Sequence, residues 1–144
     1  MSLNRRSFLK KAPVVAAPFI LPSHIWSAET KPNDRITIGM IGTGRQAKGL
    51  LSGFMGNGCQ VLAVCDVDKT RREHYLDLVK QRHESKPTES GSFDCVATNN
   101  FEEITSRDDI DAVCIATPDH WHAIPTIEAL KTGKDVYCEK PLTH

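Results

Sequence analysis

With 144 residues, 40% of them hydrophobic and 25% charged, the chain is long enough for one domain with a real core and has the composition of a globular protein. Its net charge is zero but unevenly spread. The first 28 residues carry Arg5, Arg6, Lys10 and Lys11 and no acid, leaving 14 basic against 18 acidic residues in the rest. A mildly acidic body gives no electrostatic reason for nucleic acid to be a partner.

Residues 4–11 read N-R-R-S-F-L-K-K and are followed by A-P-V-V-A-A-P-F-I-L-P. A paired arginine, an apolar stretch of about ten residues and then small and polar residues form a secretory leader plan. The stretch is too short to span a bilayer, which needs about 20 residues. No membrane contact is therefore expected beyond the leader. Its R-R-S-F-L-K order resembles the twin-arginine export signal, with Asn4 where serine or threonine is usual. The leader is expected over 1–28, although Trp26 three residues before the cut departs from an A-x-A site. An uncleaved anchor stands as the alternative. A protein exported this way folds first, which suits one that must bind a cofactor in the cytoplasm, and its expected destination is the periplasm.

After Pro32 short apolar runs alternate with helical periodicity. R-I-T-I-G-M-I (35–41) predicts a buried parallel strand. Ala47, Leu50, Leu51 and Phe54 then recur at i, i+3, i+4 and i+7, predicting an amphipathic helix over 45–56. A second strand is predicted at 60–65 and a charged helix at 69–83, with Tyr75, Leu78 and Val79 on its apolar side and Asp68 as its N-cap. The polar segment 84–95 reads as a loop, 96–98 as a short strand and 101–104 as a helical turn. D-A-V-C-I-A-T (111–117) predicts a strong strand. The loop 117–122 follows, then a helix with Pro125 in its first turn, closed by Gly133 near Thr132. D-V-Y-C (135–138) is the last predicted strand. This alternation predicts an α/β, Rossmann-type doubly wound parallel sheet over 33–144.

The five cysteines lack a C-x-x-C pair. Cys65, Cys114 and Cys138 fall in predicted strands, where a free thiol packs as a small hydrophobe rather than serving redox or metal chemistry.

G-T-G-R-Q-A (42–47) joins the first strand to the first helix, the context in which G-x-G-x-x-A has a mechanism. Gly42 permits a tight turn, Gly44 leaves room for a pyrophosphate, and Ala47 keeps the helix close to the sheet. Asp66 ends the second strand 24 residues after Gly42, where a carboxylate holds an adenosine ribose and repels a 2′-phosphate. The cofactor expected is NAD, with NADP the weaker candidate; Arg71 and Arg72 downstream are the residues that argue for a phosphate. His120 and His122, two residues apart with no third ligand nearby, do not predict a metal site.

G-T-G-R-Q-A, V-C-D-V-D, A-T-P-D-H-W-H and above all C-E-K-P-L resemble the glucose–fructose oxidoreductase, inositol dehydrogenase and rhizopine-catabolism (Gfo/Idh/MocA) family. The resemblance runs from Ile36 to the end. It implies hydride transfer between a nicotinamide and a sugar, inositol or related polyol substrate, and a homo-oligomer at full length. It implies dinucleotide contacts at Gly42, Thr43, Gly44, Arg45, Gln46 and Asp66, with Thr117, Pro118 and His122 along the nicotinamide side. Glu139 and Lys140 match the E-K pair, with Lys140 beside the reacting carbon and, with His122, assigned to catalysis. A lysine there can polarise the substrate oxygen and share in proton transfer. Members of the family continue well past this motif into a second α/β domain. The chain is therefore expected to be an N-terminal part with an incomplete fold, inactive alone. Some relatives cleave glycosides by transient oxidation with bound NAD. That activity, or non-catalytic dinucleotide binding, is the alternative.

Overall fold

Strand β1, Thr37–Ile41, lies at the centre of the sheet because both of its faces are apolar, with Ile38 and Met40 in one core and Ile41 in another. The computed structural model describes residues 34–85 and 94–142. It continues through α1 (Arg45–Gly56), β2 (Gln60–Cys65), α2 (Lys69–Glu84), β3 (Val96–Thr98) and the single turn α3 (Glu102–Thr105). Then come β4 (Ala112–Ile115), α4 (Ala123–Lys131) and β5 (Asp135–Cys138). The leader expected over 1–28 and most of the polar loop lie outside the described residues.

The strands are all parallel in the order β3-β2-β1-β4-β5. The chain steps outward from β1 in one direction and then returns to build the other side, which opens a crevice between β1 and β4 at the carboxyl edge. Helices α1 and α2 cover one face, burying Ala47, Leu51, Met55, Tyr75 and Val79 against Ile38, Met40, Val61, Val64 and Cys114. Helices α3 and α4 cover the other, where Ile104 and Ala129 meet Leu62, Val113 and Ile115. The doubly wound expectation is met. A register shift opposite Ile38 and Gly39 gives β2 one extra residue, so Leu62 and Ala63 both serve the second core.

Two strands are shorter at their ends than their apolar runs suggest. β1 begins at Thr37 because the Thr37 amide and hydroxyl both donate to the Asp111 carboxylate, which ends the regular pattern on both strands. β4 stops at Ile115, and the Thr117 carbonyl faces a histidine rather than β5. The loop at 117–122, expected to be irregular, contains a 3-10 turn at Asp119–Trp121. Asp68 caps α2 as expected, accepting from the Thr70 and Arg71 amides.

All five cysteines are free. Burial pushes the Cys95 and Cys114 thiols up to about 12 and Cys65 up to about 11, so these three pack as small apolar groups. Among the described residues no helix is long and apolar enough to cross a membrane.

Candidate dinucleotide site at the carboxyl edge

Every chemically interesting loop leaves the same edge of the sheet, because all five strands run in one direction. Gly42 follows β1, Asp66 follows β2, Asn99 follows β3, Thr117 follows β4 and Glu139–Lys140 follow β5. Between them lies a cleft of about 590 Å³, lined among others by Gly42, Gly44, Arg45, Gln46, Asp66 and Thr117.

The glycine turn owes its shape to a backbone contact. Gly42 has φ +88, and a Cβ there would lie 2.6 Å from the Thr117 amide nitrogen. Only glycine fits without moving the start of the β4 loop. At Gly44 the position is open, with nothing within 4 Å of a Cβ. Helix α1 begins there with no side-chain cap and no acidic residue in its first turn. Its first amides are thus left to an anion entering the cleft. The Tyr75 hydroxyl donates to the Gly44 carbonyl at 2.5 Å, anchoring the turn to α2.

Asp66 is held by its own fold. Its Oδ2 accepts from both the amide and the hydroxyl of Thr43, each at 2.8 Å, and its Oδ1 accepts from the Asp68 amide at 2.9 Å. Burial pushes this carboxyl up, but the donors from Asp68 and Thr43, together with the Arg71 charge, outweigh it and hold the group below the usual carboxylate range. Arg72 donates to the Asp66 and Val67 carbonyls, so it is spent on the turn. Arg71 lines the cleft and pairs with Asp68 at 3.5 Å.

His122 is only 1% exposed. Its Nε2 lies 2.9 Å from the Thr117 carbonyl oxygen and its Nδ1 2.7 Å from that of Pro141. A neutral ring donates to one of the two and a protonated ring to both. With both nitrogens engaged, the ring offers none to a metal or a substrate in this arrangement. Lys140 is exposed, and its peptide bond to Pro141 is cis. Glu139 is half-buried, accepts from the Tyr137 hydroxyl at 3.2 Å, and its amide donates to Ile115.

The cleft thus gathers Gly42, Gly44, Arg45, Gln46, Asp66, Thr117 and Pro118 from the sequence-based set. Thr43, His122, Glu139 and Lys140 are not among its lining residues; Thr43 and His122 act on the walls from behind. Val67, Asn99, Asn100 and Phe101 line it without having been expected. The available signal was positional: Asn99 follows a strand, V-A-T, whose weak pattern drew no attention to its carboxyl end.

Two observations fit a dinucleotide: the open space at Gly44 before an uncapped helix, and the Thr117 hydroxyl, a buried oxygen with no partner among the described residues. Residues 36–144 match the GFO_IDH_MocA model, described as an oxidoreductase family with an NAD-binding Rossmann fold. The chain belongs to this family. It is 33% identical to a "Glycosyl hydrolase family 109 protein" of Shewanella pealeana, over 99% of this chain and 34% of that protein. The chain thus spans about a third of the length of the curated relatives it matches. The myo-inositol dehydrogenase of Lactobacillus casei, solved with NAD(H) and myo-inositol, superposes with a TM-score of 0.61 at 25% identity, covering 76% of this chain and 29% of that one. WlbA dehydrogenase of Bordetella pertussis, solved with NADH and UDP-GlcNAcA, has the same TM-score and coverage of this chain at 20% identity, with 30% of its own chain covered. That likeness supports the fold alone. In this oxidoreductase-family domain the cofactor is NAD.

Proposed function

We propose that the protein is an exported oxidoreductase that moves hydride between NAD and a sugar, inositol or related polyol. The chemistry that bound NAD supplies is reversible hydride transfer. Gly42 makes the turn, Gly44 leaves the space a pyrophosphate would enter, the α1 amides would donate to it, and Asp66 would receive the adenosine ribose. Thr117 offers a hydroxyl that has no partner among the described residues, and Pro118 lines the cleft beside it. Lys140 polarises the substrate oxygen and shares its proton as the carbon is oxidised or reduced. His122 is a positioning residue rather than a proton carrier, since both its nitrogens meet backbone carbonyls.

The observation that carries this reading is the link from His122 to the residue after Lys140. It holds the E-K-P turn against the Thr117 loop, so the lysine stands at the same sheet edge as the dinucleotide cleft. In the full-length protein Lys140→Ala is expected to lower kcat by at least about a hundredfold while NAD still binds. Unchanged turnover would remove the lysine from the mechanism.

The family 109 relatives favour a second reading, glycoside cleavage with NAD reduced and then reoxidised in one cycle. Net NADH release with a polyol supports dehydrogenation. Release of an aglycone without net NADH supports cleavage. The Arg5–Arg6 pair and the apolar stretch after it support export by the twin-arginine route to the periplasm.

A further inference from the structure

Thr43 sits inside the glycine turn, in a position where a dinucleotide-contacting side chain was expected. Instead it is 2% exposed, and both of its donors go to one oxygen of Asp66. An ionised carboxylate has about four acceptor sites. Three are filled from within the protein: two on Oδ2 by Thr43 and one on Oδ1 by the Asp68 amide. Among the described residues, the site left over belongs to Oδ1.

We propose that Thr43 is a specificity-determining residue, which locks the Asp66 carboxylate so that it recognises the ribose through Oδ1 and cannot turn away from a 2′-phosphate. A carboxylate held by one face only could rotate, exposing its backbone donors and relieving repulsion. Asp66 is clamped on both oxygens by donors from two different loops, the glycine turn and the start of α2. The negative charge therefore stays where the ribose enters, in a carboxylate that borders the cleft. Two arginines line the cleft and could meet a phosphate, Arg45 and Arg71. Arg71 lines the cleft, and its guanidinium is already shared with Asp68. Arg72 is committed to the Asp66 and Val67 carbonyls. The balance between NAD and NADP thus depends on whether Asp66 stays fixed, and the Thr43 hydroxyl is the part of the clamp that a side-chain change can remove.

The inference rests on dinucleotide binding and not on the substrate, so it is tested without turnover. NAD and NADP are titrated in parallel into the wild-type protein and the Thr43→Val and Thr43→Ser variants by calorimetry. Valine keeps the shape and the backbone amide but removes the hydroxyl donor; serine keeps the donor. A hydrogen bond to a charged group has the strength to move the preference about tenfold. Thr43→Val is expected to lower the NAD-over-NADP ratio by about that factor, and Thr43→Ser to hold it near the wild-type value. A turn that is merely loosened would weaken both cofactors alike and leave the ratio unchanged, which overturns the inference. A Thr43→Ser ratio as low as that of Thr43→Val overturns it too. Neither result bears on the Lys140 reading, which stands or falls on turnover.

Discussion

Gly42 and Gly44 look equivalent in G-T-G-R-Q-A, yet they carry different burdens. At Gly42 a Cβ would collide with the backbone of Ala116 and Thr117, and the residue has φ +88. At Gly44 a Cβ meets nothing. Gly42→Ala is therefore expected to destabilise the fold by at least about 1–2 kcal/mol, the cost of a left-handed conformation before any clash is added. Gly44→Ala should leave stability within about 0.5 kcal/mol and weaken NAD binding at least tenfold, because the methyl group occupies the path of the pyrophosphate. Thermal melts and NAD titrations of the two variants separate the roles. Equal melting losses in both would contradict them. The sequence pattern gives the tight turn to Gly42 and the pyrophosphate to Gly44, and the space around each residue agrees with that division. The crowding at Gly42 follows from how closely β4 approaches β1.

Between elements, the decisive contact is the one His122 makes from the start of α4. It joins the loop after β4 to the turn after β5 through two carbonyl oxygens. A phenylalanine there would keep the volume but remove the ring's donor capacity toward these carbonyls. His122→Phe should cost about 1–3 kcal/mol, the usual penalty for buried polar groups left unsatisfied. Its distinguishing effect is local. Amide exchange is expected to rise at Glu139, Lys140 and Leu142 while β1 and β2 stay protected, and kcat should fall more than KM rises. Uniform loss of protection would mean that the ring only fills space. The elements themselves were largely legible. α1, β2 and β5 appear at their predicted bounds because strand and helix periodicities are local properties of the chain. The ends of β1 and β4 were not, because Thr37 and Asp111 pair across 74 residues and the Thr117 carbonyl turns to the His122 ring instead of continuing the ladder.

For the molecule as a whole, the charge pattern sets the response to acid. Asp66 is held low by Thr43 and Asp68 donors despite its burial, Asp109 by its bonds to Arg107, and Asp111 by the Thr37 amide and hydroxyl. A carboxyl whose folded pKa is depressed contributes stability above its unfolded value, near about 3.9, and loses it as pH falls through the folded value. Unfolding midpoints should therefore be flat from neutral pH down to about 5 and decline below about 4. Asp111→Asn should flatten that decline. A profile identical to wild type would show that Asp111 contributes nothing to it. These three carboxylates tie the glycine turn and the amino ends of β1 and β4, so acid loosens both edges of the sheet.

Taken alone, the sequence determined the order and type of the elements, the parallel sheet, the glycine turn, the acid after the second strand and the resemblance carried by C-E-K-P-L. Each of these is written in local periodicity or in a short contiguous motif. The tertiary structure decided which motif residues face the cleft and which support it from behind. Thr43 turns inward to Asp66, His122 is buried between two carbonyls, and Asn99, Asn100 and Phe101 reach the cleft from a strand with little pattern of its own. The physical reason is that a motif specifies backbone course, whereas a side chain's direction depends on donors and acceptors brought close only when the sheet is assembled.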